Sequence, residues 1–184
     1  MQIEAQKFLP IAEQARAIAF VDIEATNLKA DFGTVVVVSI KPYKQEPVTF
    51  YAKPGSDKSL LKKVHAELSK YPLWVTFYGK RFDIPFLNSR LLVRGLPSLP
   101  KNHHIDLYQV VRDKTALSRR NQAHLLNWLG TDESKMSVSP NVWAEMSVNT
   151  KDKLSTLIER CENDVEGLEA MYERCKHLIG EITR

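Results

Sequence analysis

The chain has 184 residues, of which 43% are hydrophobic and 26% charged, with a formal net charge of +4; this suits one domain built on a full hydrophobic core, not a disordered or fibrous chain. No apolar run approaches the ~20 residues of a membrane span, and Met1 to Gln6 lacks the basic start and apolar stretch of an export signal, so the expectation is a cytoplasmic protein with no membrane partner. The charge is uneven: Asp57 to Arg120 holds thirteen Lys/Arg against five Asp/Glu, so that this middle carries +8 and the remainder −4. A basic middle beside an acidic remainder suits contact with a polyanion, although solvated helix faces account for many of these residues singly.

After residues 1–15, read as an N-terminal extension, the run Ala17 to Val21 predicts a buried strand. It ends in Asp22-Ile23-Glu24, and since side chains i and i+2 share a face of a strand, both acids project together while Ile23 points into the core. Asp31 to Gly33 is a turn, the β-branched run Thr34 to Ile40 a strand buried on both faces, and Val48 to Ala52 an alternating third strand. Turns this short predict an antiparallel meander. Pro54-Gly55-Ser56 breaks the chain, and Ser56 or Asp57 caps a helix to about Lys70 with Leu60, Leu61, Val64 and Leu68 on one stripe. Leu73 to Tyr78 reads as a fourth strand, a helix that carries Phe86, Leu87, Leu91 and Leu92 follows, and His103 to Leu107 is a short fifth strand. Asn121 to Leu129 is a helix stopped by Gly130, Thr131 to Pro140 is loop-like, and Asp152 to about Glu181 is a long helix. The fold class is therefore α/β: a mixed five-stranded sheet, three antiparallel strands and then parallel ones, flanked by helices, with residues 1–184 as a single domain. Trp74, Trp128 and Trp143 are expected to pack. Cys161 and Cys175 sit fourteen residues apart on one helix, ~21 Å, which excludes a disulfide between them.

Two carboxylates about 4 Å apart repel by ~4 kcal/mol at an effective dielectric of 20, and a divalent cation between them relieves this productively. Asp22 and Glu24 alone are weak evidence, since many strands end in exposed acids. Asp83 lies where a strand has ended, Gly79 turns the chain, and Pro85 opens a helix; by itself it reads equally as a first-turn acid favoured by the helix dipole. Asp164 falls on the inward side of the last helix beside Cys161, Val165 and Leu168, where an acid needs a partner or a metal. Asp106 reads as a turn or N-cap acid.

The phrases Asp22-Ile23-Glu24-x-Thr26, Phe82-Asp83-x-Pro85-Phe86 and Cys161-x-x-Asp164-Val165 stand in the order and at roughly the intervals found in the DEDD-type 3′–5′ exonucleases, which have a ribonuclease H-like fold. Ala30 to Gly33, His104 to Leu107 and the Leu129 to Lys135 region resemble a compact branch similar to the exonuclease domain of family B DNA polymerases. The resemblance runs from about Ala17 to Tyr172. It implies that Asp22, Glu24, Asp83 and Asp164 hold two divalent cations, Mg²⁺ or Mn²⁺, one activating water and the other stabilising the leaving 3′-oxygen, with a nucleoside monophosphate released. It also implies that Thr26, Asn27 and Leu28 meet the terminal nucleotide of a single-stranded 3′ end. Tyr78 and Phe82 are candidates for base stacking, with the core as the alternative for each, and Lys80 and Arg81 are candidates for phosphate contact as part of a basic group with Arg119 and Arg120.

One position departs from the family. Four residues before the final Asp it carries a Tyr or His that handles the attacking water; here that place is Arg160, which stays protonated and cannot act as a base. Arg160 is therefore placed with the catalytic set, and three readings follow: it contacts the scissile phosphate, a histidine from elsewhere (His124 or His104) supplies the base, or turnover is weakened and the chain is a nucleic-acid-binding module. A ribonuclease H-like endonuclease is the enzyme alternative. Whether the substrate is DNA or RNA stays open, as do pairing of two copies and action in trans beside a polymerase or repair complex.

Overall fold

A computed structural model describes residues 17–53, 55–132 and 151–179. At its centre is β1 (Ile18–Ala25), flanked on one side by β2 (Val35–Pro42) and β3 (Val48–Tyr51) and on the other by β4 (Leu73–Thr76) and β5 (His103–Asp106), in the sheet order β3-β2-β1-β4-β5. The first three strands are antiparallel; β4 runs parallel to β1, and β5 parallel to β4. This is the mixed sheet that the short early turns and the later helical crossovers predict. The helices are α1 (Lys58–Leu68), α2 (Asp83–Val93), α3 (Leu107–Lys114), α4 (Gln122–Leu129) and α5 (Lys151–Ile179). No helix among the described residues is long and apolar enough to cross a membrane.

The alternation along β1 decides which residues reach which layer. Ala19, Val21, Ile23 and Ala25 pack into one core with Leu60, Leu61, Val64 and Leu68 of α1 and Phe86, Leu87 and Leu91 of α2. Ile18 and Phe20 face the opposite core, with Val110 of α3, Leu125 and Leu126 of α4, and Val165, Leu168 and Met171 of α5. The same period of two turns Asp22 and Glu24 toward the α5 layer. α5 lies against β2 and β1, where Leu157 and Cys161 meet Val37. Farther along, α5 is tied to the end of β2: Lys41 Nζ is 2.8 Å from Glu169 and 3.3 Å from Glu166, and the Tyr43 hydroxyl donates to Glu173 at 2.6 Å.

Four local features go beyond simple pattern reading. Leu92 is 80% exposed, because the inward stripe of α2 runs through Asp83, Phe86, Leu87, Arg90 and Leu91, and a residue ~100° past Leu91 leaves that face. Trp128 is 57% exposed, off the Gln122, Leu125, Leu126 face of α4, whereas Trp74 is buried as expected. Asp57 stands at the N-cap position of α1, but its side chain caps nothing; it is fully buried and receives Arg90 Nε and Arg94 Nε, each at 2.7 Å. The fourth strand stops at Thr76, not Tyr78. Tyr78 adopts a left-handed φ of 65°, and Gly79 tucks so closely under the strand that a Cβ there would lie 2.4 Å from the Thr76 hydroxyl, so the chain must leave the sheet here. Trp143 and the loop beyond residue 132 lie outside the described residues.

Candidate functional site

β1 pairs with β4 only through Phe20 and Val75, so beyond that point its β4-facing edge is released while β4 turns away at Phe77. A cleft opens at the carboxyl ends of these parallel strands, the place where α/β sheets commonly bind ligands. It has a volume of about 620 Å³, and its walls include Asp22 to Leu28, Phe77, Tyr78, Phe82, Asp83, Gln122, Arg160 and Asp164.

Three acids meet on its floor. Ligand oxygens of Asp22, Glu24 and Asp164 all lie within 4.8 Å of one another. Asp22 and Glu24 arrive by the alternation of β1, and the register with β2 shifts between Glu24 and Ala25, a bulge of the kind that re-aims side chains beside sites. Asp164 arrives from α5, whose docking is fixed directly beneath by Cys161: the buried thiol donates to the Asp22 carbonyl at 3.4 Å and to its carboxylate at 3.5 Å. Burial, with the Asp22 and Glu24 charges, pushes the Cys161 thiol well up, so it keeps the proton it donates.

Asp83 is buried in the same cleft but is not one of those three acids. Its carboxylate accepts the backbone N–H of Ile23, the edge group left free where β4 departs, and its own N–H. Burial, and then the Asp22 charge, raise its carboxyl well above the ordinary range, against the pull of those two hydrogen bonds. Glu24 behaves alike: burial first, then Asp22, push it up to about 8, with Arg160 pulling the other way. Clustered, desolvated carboxylates with raised proton affinity in a cleft mark a candidate functional site.

Arg160 shares the α5 face of Asp164, one turn earlier. Its Nε is 2.7 Å from Glu24 Oε1 and 3.9 Å from Asp164 Oδ2. The contact with Glu24 is a buried ion pair that works against the rise in the glutamate's proton affinity. The donor set, carboxylate oxygens only, fits hard divalent cations such as Mg²⁺ or Mn²⁺.

The proposed substrate residues divide. Thr26 is half-buried and locked, its hydroxyl accepting the Thr34 N–H at 2.9 Å, whereas Asn27 and Leu28 are exposed on the cleft rim, Leu28 at 79%. The loop behind them is compact: Gly33 packs where a Cβ would sit 2.8 Å from Asn27 Cβ, and Arg90 Nη1 donates to the Ala30 carbonyl at 3.0 Å while its Nε holds buried Asp57. Tyr78 presents an exposed ring, set edge-on to Tyr108 at 5.0 Å between centroids. Phe82 lines the cleft and also packs on Phe86, centroids 5.6 Å apart. Lys80 and Arg81 are exposed on the same turn, outside the cleft lining.

Neither histidine is among the lining residues. His104 is bonded to the Thr76 hydroxyl at 2.8 Å and pushed down to about 4 by burial and by Lys80. Two contributors were missed in the sequence. Gln122 lines the cleft and donates to the Asp164 backbone carbonyl at 3.0 Å; nothing local distinguishes it from any first-turn helix residue. Asp106 accepts three backbone N–H groups, from Tyr78 at 2.8 Å, Lys80 at 3.1 Å and Tyr108 at 3.1 Å. The predicted cap of α3 thus also fixes the turn that carries Tyr78.

A sequence model of the RNase H superfamily matches residues 19–176. Among solved structures, the family B DNA polymerase from the hyperthermophilic archaeon Pyrobaculum calidifontis is similar with a TM-score of 0.71 and 17% identity, over 85% of this chain and 24% of that one. That likeness is one of fold, and this chain spans about a quarter of that polymerase's length. No curated protein matches the sequence.

Proposed function

The chain belongs to the RNase H superfamily, and we propose that it is a metal-dependent 3′–5′ exonuclease that removes nucleoside monophosphates from single-stranded nucleic acid. The fold itself, with its acidic cluster, supports an enzyme acting on nucleic acids. The observation that carries the finer assignment is the convergence of Asp22, Glu24 and Asp164 within 4.8 Å on the floor of a cleft whose rim bears Thr26, Asn27, Leu28 and an exposed Tyr78.

In this proposal Asp22, Glu24, Asp83 and Asp164 hold two divalent cations, which supply activation of water and neutralisation of the leaving oxygen in an in-line displacement. The chain's own groups do the rest. The hairpin loop at Thr26 to Leu28 seats the terminal nucleoside, with the exposed Leu28 side chain offering an apolar face to its base. Tyr78 offers a stacking surface for a neighbouring base, a contact worth ~1–3 kcal/mol and tolerant of sequence. Lys80 and Arg81, with Arg119 and Arg120, supply exposed positive charge along the outgoing strand. Arg160 takes no proton; its guanidinium is suited to grip phosphate oxygens. A polymerase or repair complex acting on the same end, or a second copy of the chain, is compatible with this arrangement.

The test uses one oligonucleotide labelled at its 3′ end and one at its 5′ end, incubated with Mg²⁺ or Mn²⁺. Stepwise shortening from the 3′ terminus is expected. Internal cuts would instead identify an endonuclease, and a mobility shift without cleavage a binding module. Asp22→Asn is expected to lower cleavage by at least ~10³-fold while leaving the thermal midpoint intact, since it removes a ligand charge without emptying the core; activity close to wild type would overturn the site.

A further inference from the structure

Arg160 occupies ground that a divalent cation also needs. Its guanidinium lies 2.7 Å from one oxygen of Glu24 and 3.9 Å from Asp164, two of the three acids grouped within 4.8 Å. The Arg160 side chain is only 16% exposed, and those of Glu24 and Asp164 are 4% and 3%. Water therefore screens little of the repulsion between a guanidinium and a dication sharing Glu24. The arginine and a dication would thus draw on the same Glu24 oxygen.

We infer that Arg160 is a built-in counter-cation that competes with the divalent ion for Glu24, so that metal loading requires its guanidinium to swing off the acids toward the substrate phosphate. This rests on the metal-dependent activity proposed above and adds a coupling to it. The arginine offsets part of the acid cluster's charge when no dication is held. It then delivers a phosphate-gripping group to the cleft when one is. A strand end that accepts the displaced guanidinium favours metal loading, and metal loading favours capture of the strand end. The pairing with Glu24 depends on Arg160 standing one turn before Asp164 on α5; a Tyr or His there carries no fixed charge and sets up no such competition.

The experiment is a titration with Mn²⁺, followed by electron paramagnetic resonance of the free ion, without nucleic acid. Arg160→Gln is expected to bind Mn²⁺ at least about tenfold more tightly than wild type, the scale of one like charge removed at this range, whereas Arg160→Lys, which keeps the charge, stays within a few-fold of wild type. Arg160→Met carries the same expectation as Arg160→Gln and serves if the glutamine variant does not fold. In EDTA, Arg160→Gln should melt below wild type and recover on adding Mn²⁺, a readout independent of turnover. Equal or weaker Mn²⁺ binding by both neutral variants, with wild type binding normally, would overturn the competition and leave the nuclease assignment standing. Absence of Mn²⁺ binding in wild type and variants alike would overturn both.

Discussion

Asp106 is an acid whose role is divided between two elements. As an N-cap it satisfies the Tyr108 N–H of α3; as a strand-end acceptor it also holds the N–H groups of Tyr78 and Lys80. Tyr78 pays for its left-handed backbone, φ 65°, with these bonds, since a non-glycine residue in that region is strained unless its surroundings enforce it. Asp106→Ala leaves three N–H donors without this partner and is expected to cost about 1–3 kcal/mol in urea denaturation. It should also weaken oligonucleotide binding by freeing the stacking ring. A loss of stability with unchanged oligonucleotide affinity would separate the cap from the cleft. The dual role was half legible in the sequence: the cap is local, but the turn it also serves lies 26 to 28 residues upstream, beyond the reach of any local pattern.

At the scale of elements, periodicity predicted well wherever one face of a strand or helix decides the outcome. The alternation of β1 delivered Asp22 and Glu24 to one layer and Ile23 to the other, and the helical period of α5 delivered Asp164 inward. It leaves α2 undecided, where Leu91 and Leu92 are adjacent apolar residues and only Leu91 faces in. Arg90, a residue that pattern reading sends outward, takes the inward place because Asp57 awaits it. Leu91→Ala should therefore cost about 2–5 kcal/mol and Leu92→Ala under about 0.5 kcal/mol, measured by chemical denaturation; comparable costs would mean that the face of α2 is misassigned. The position of Asp83 was not derivable from the elements either. It depends on β1 outlasting β4, which frees the Ile23 N–H to donate to its carboxylate, a consequence of two strand lengths and not of any motif.

For the molecule as a whole, the buried Asp57 links α1, α2 and the hairpin loop that carries Asn27 and Leu28. It accepts Arg90 and Arg94, and Arg90 in turn holds the Ala30 carbonyl. Burial alone would raise its carboxyl, but the two guanidiniums prevail and hold it below its ordinary value of 3.8. A carboxyl depressed in the folded state contributes stability that is complete above its unfolded pKa and is lost as pH falls through the folded one. Asp57→Asn should thus cost about 3 kcal/mol at pH 7, toward the low end for a broken buried pair because the Arg94 side chain is 30% exposed. The gap from wild type should narrow in urea melts as pH falls below about 4. A gap that stayed constant with pH would show that packing, not charge, is what Asp57 provides. The sequence offered Asp57 only as a helix cap; its partners lie 33 and 37 residues away, and long-range pairing overrode the local preference.

The last acid of the cluster belongs to the last helix, which clamps back onto the end of β2 through Lys41 and Tyr43. About 140 residues separate it from the opening pair, so at ~5–20 residues per second a ribosome needs roughly 7–30 s to progress from one to the other. Throughout that interval the growing polypeptide lacks a complete ligand set. Under the proposed activity, the newborn chain is inert toward nucleic acid around it, and its chemistry begins only once α5 has docked.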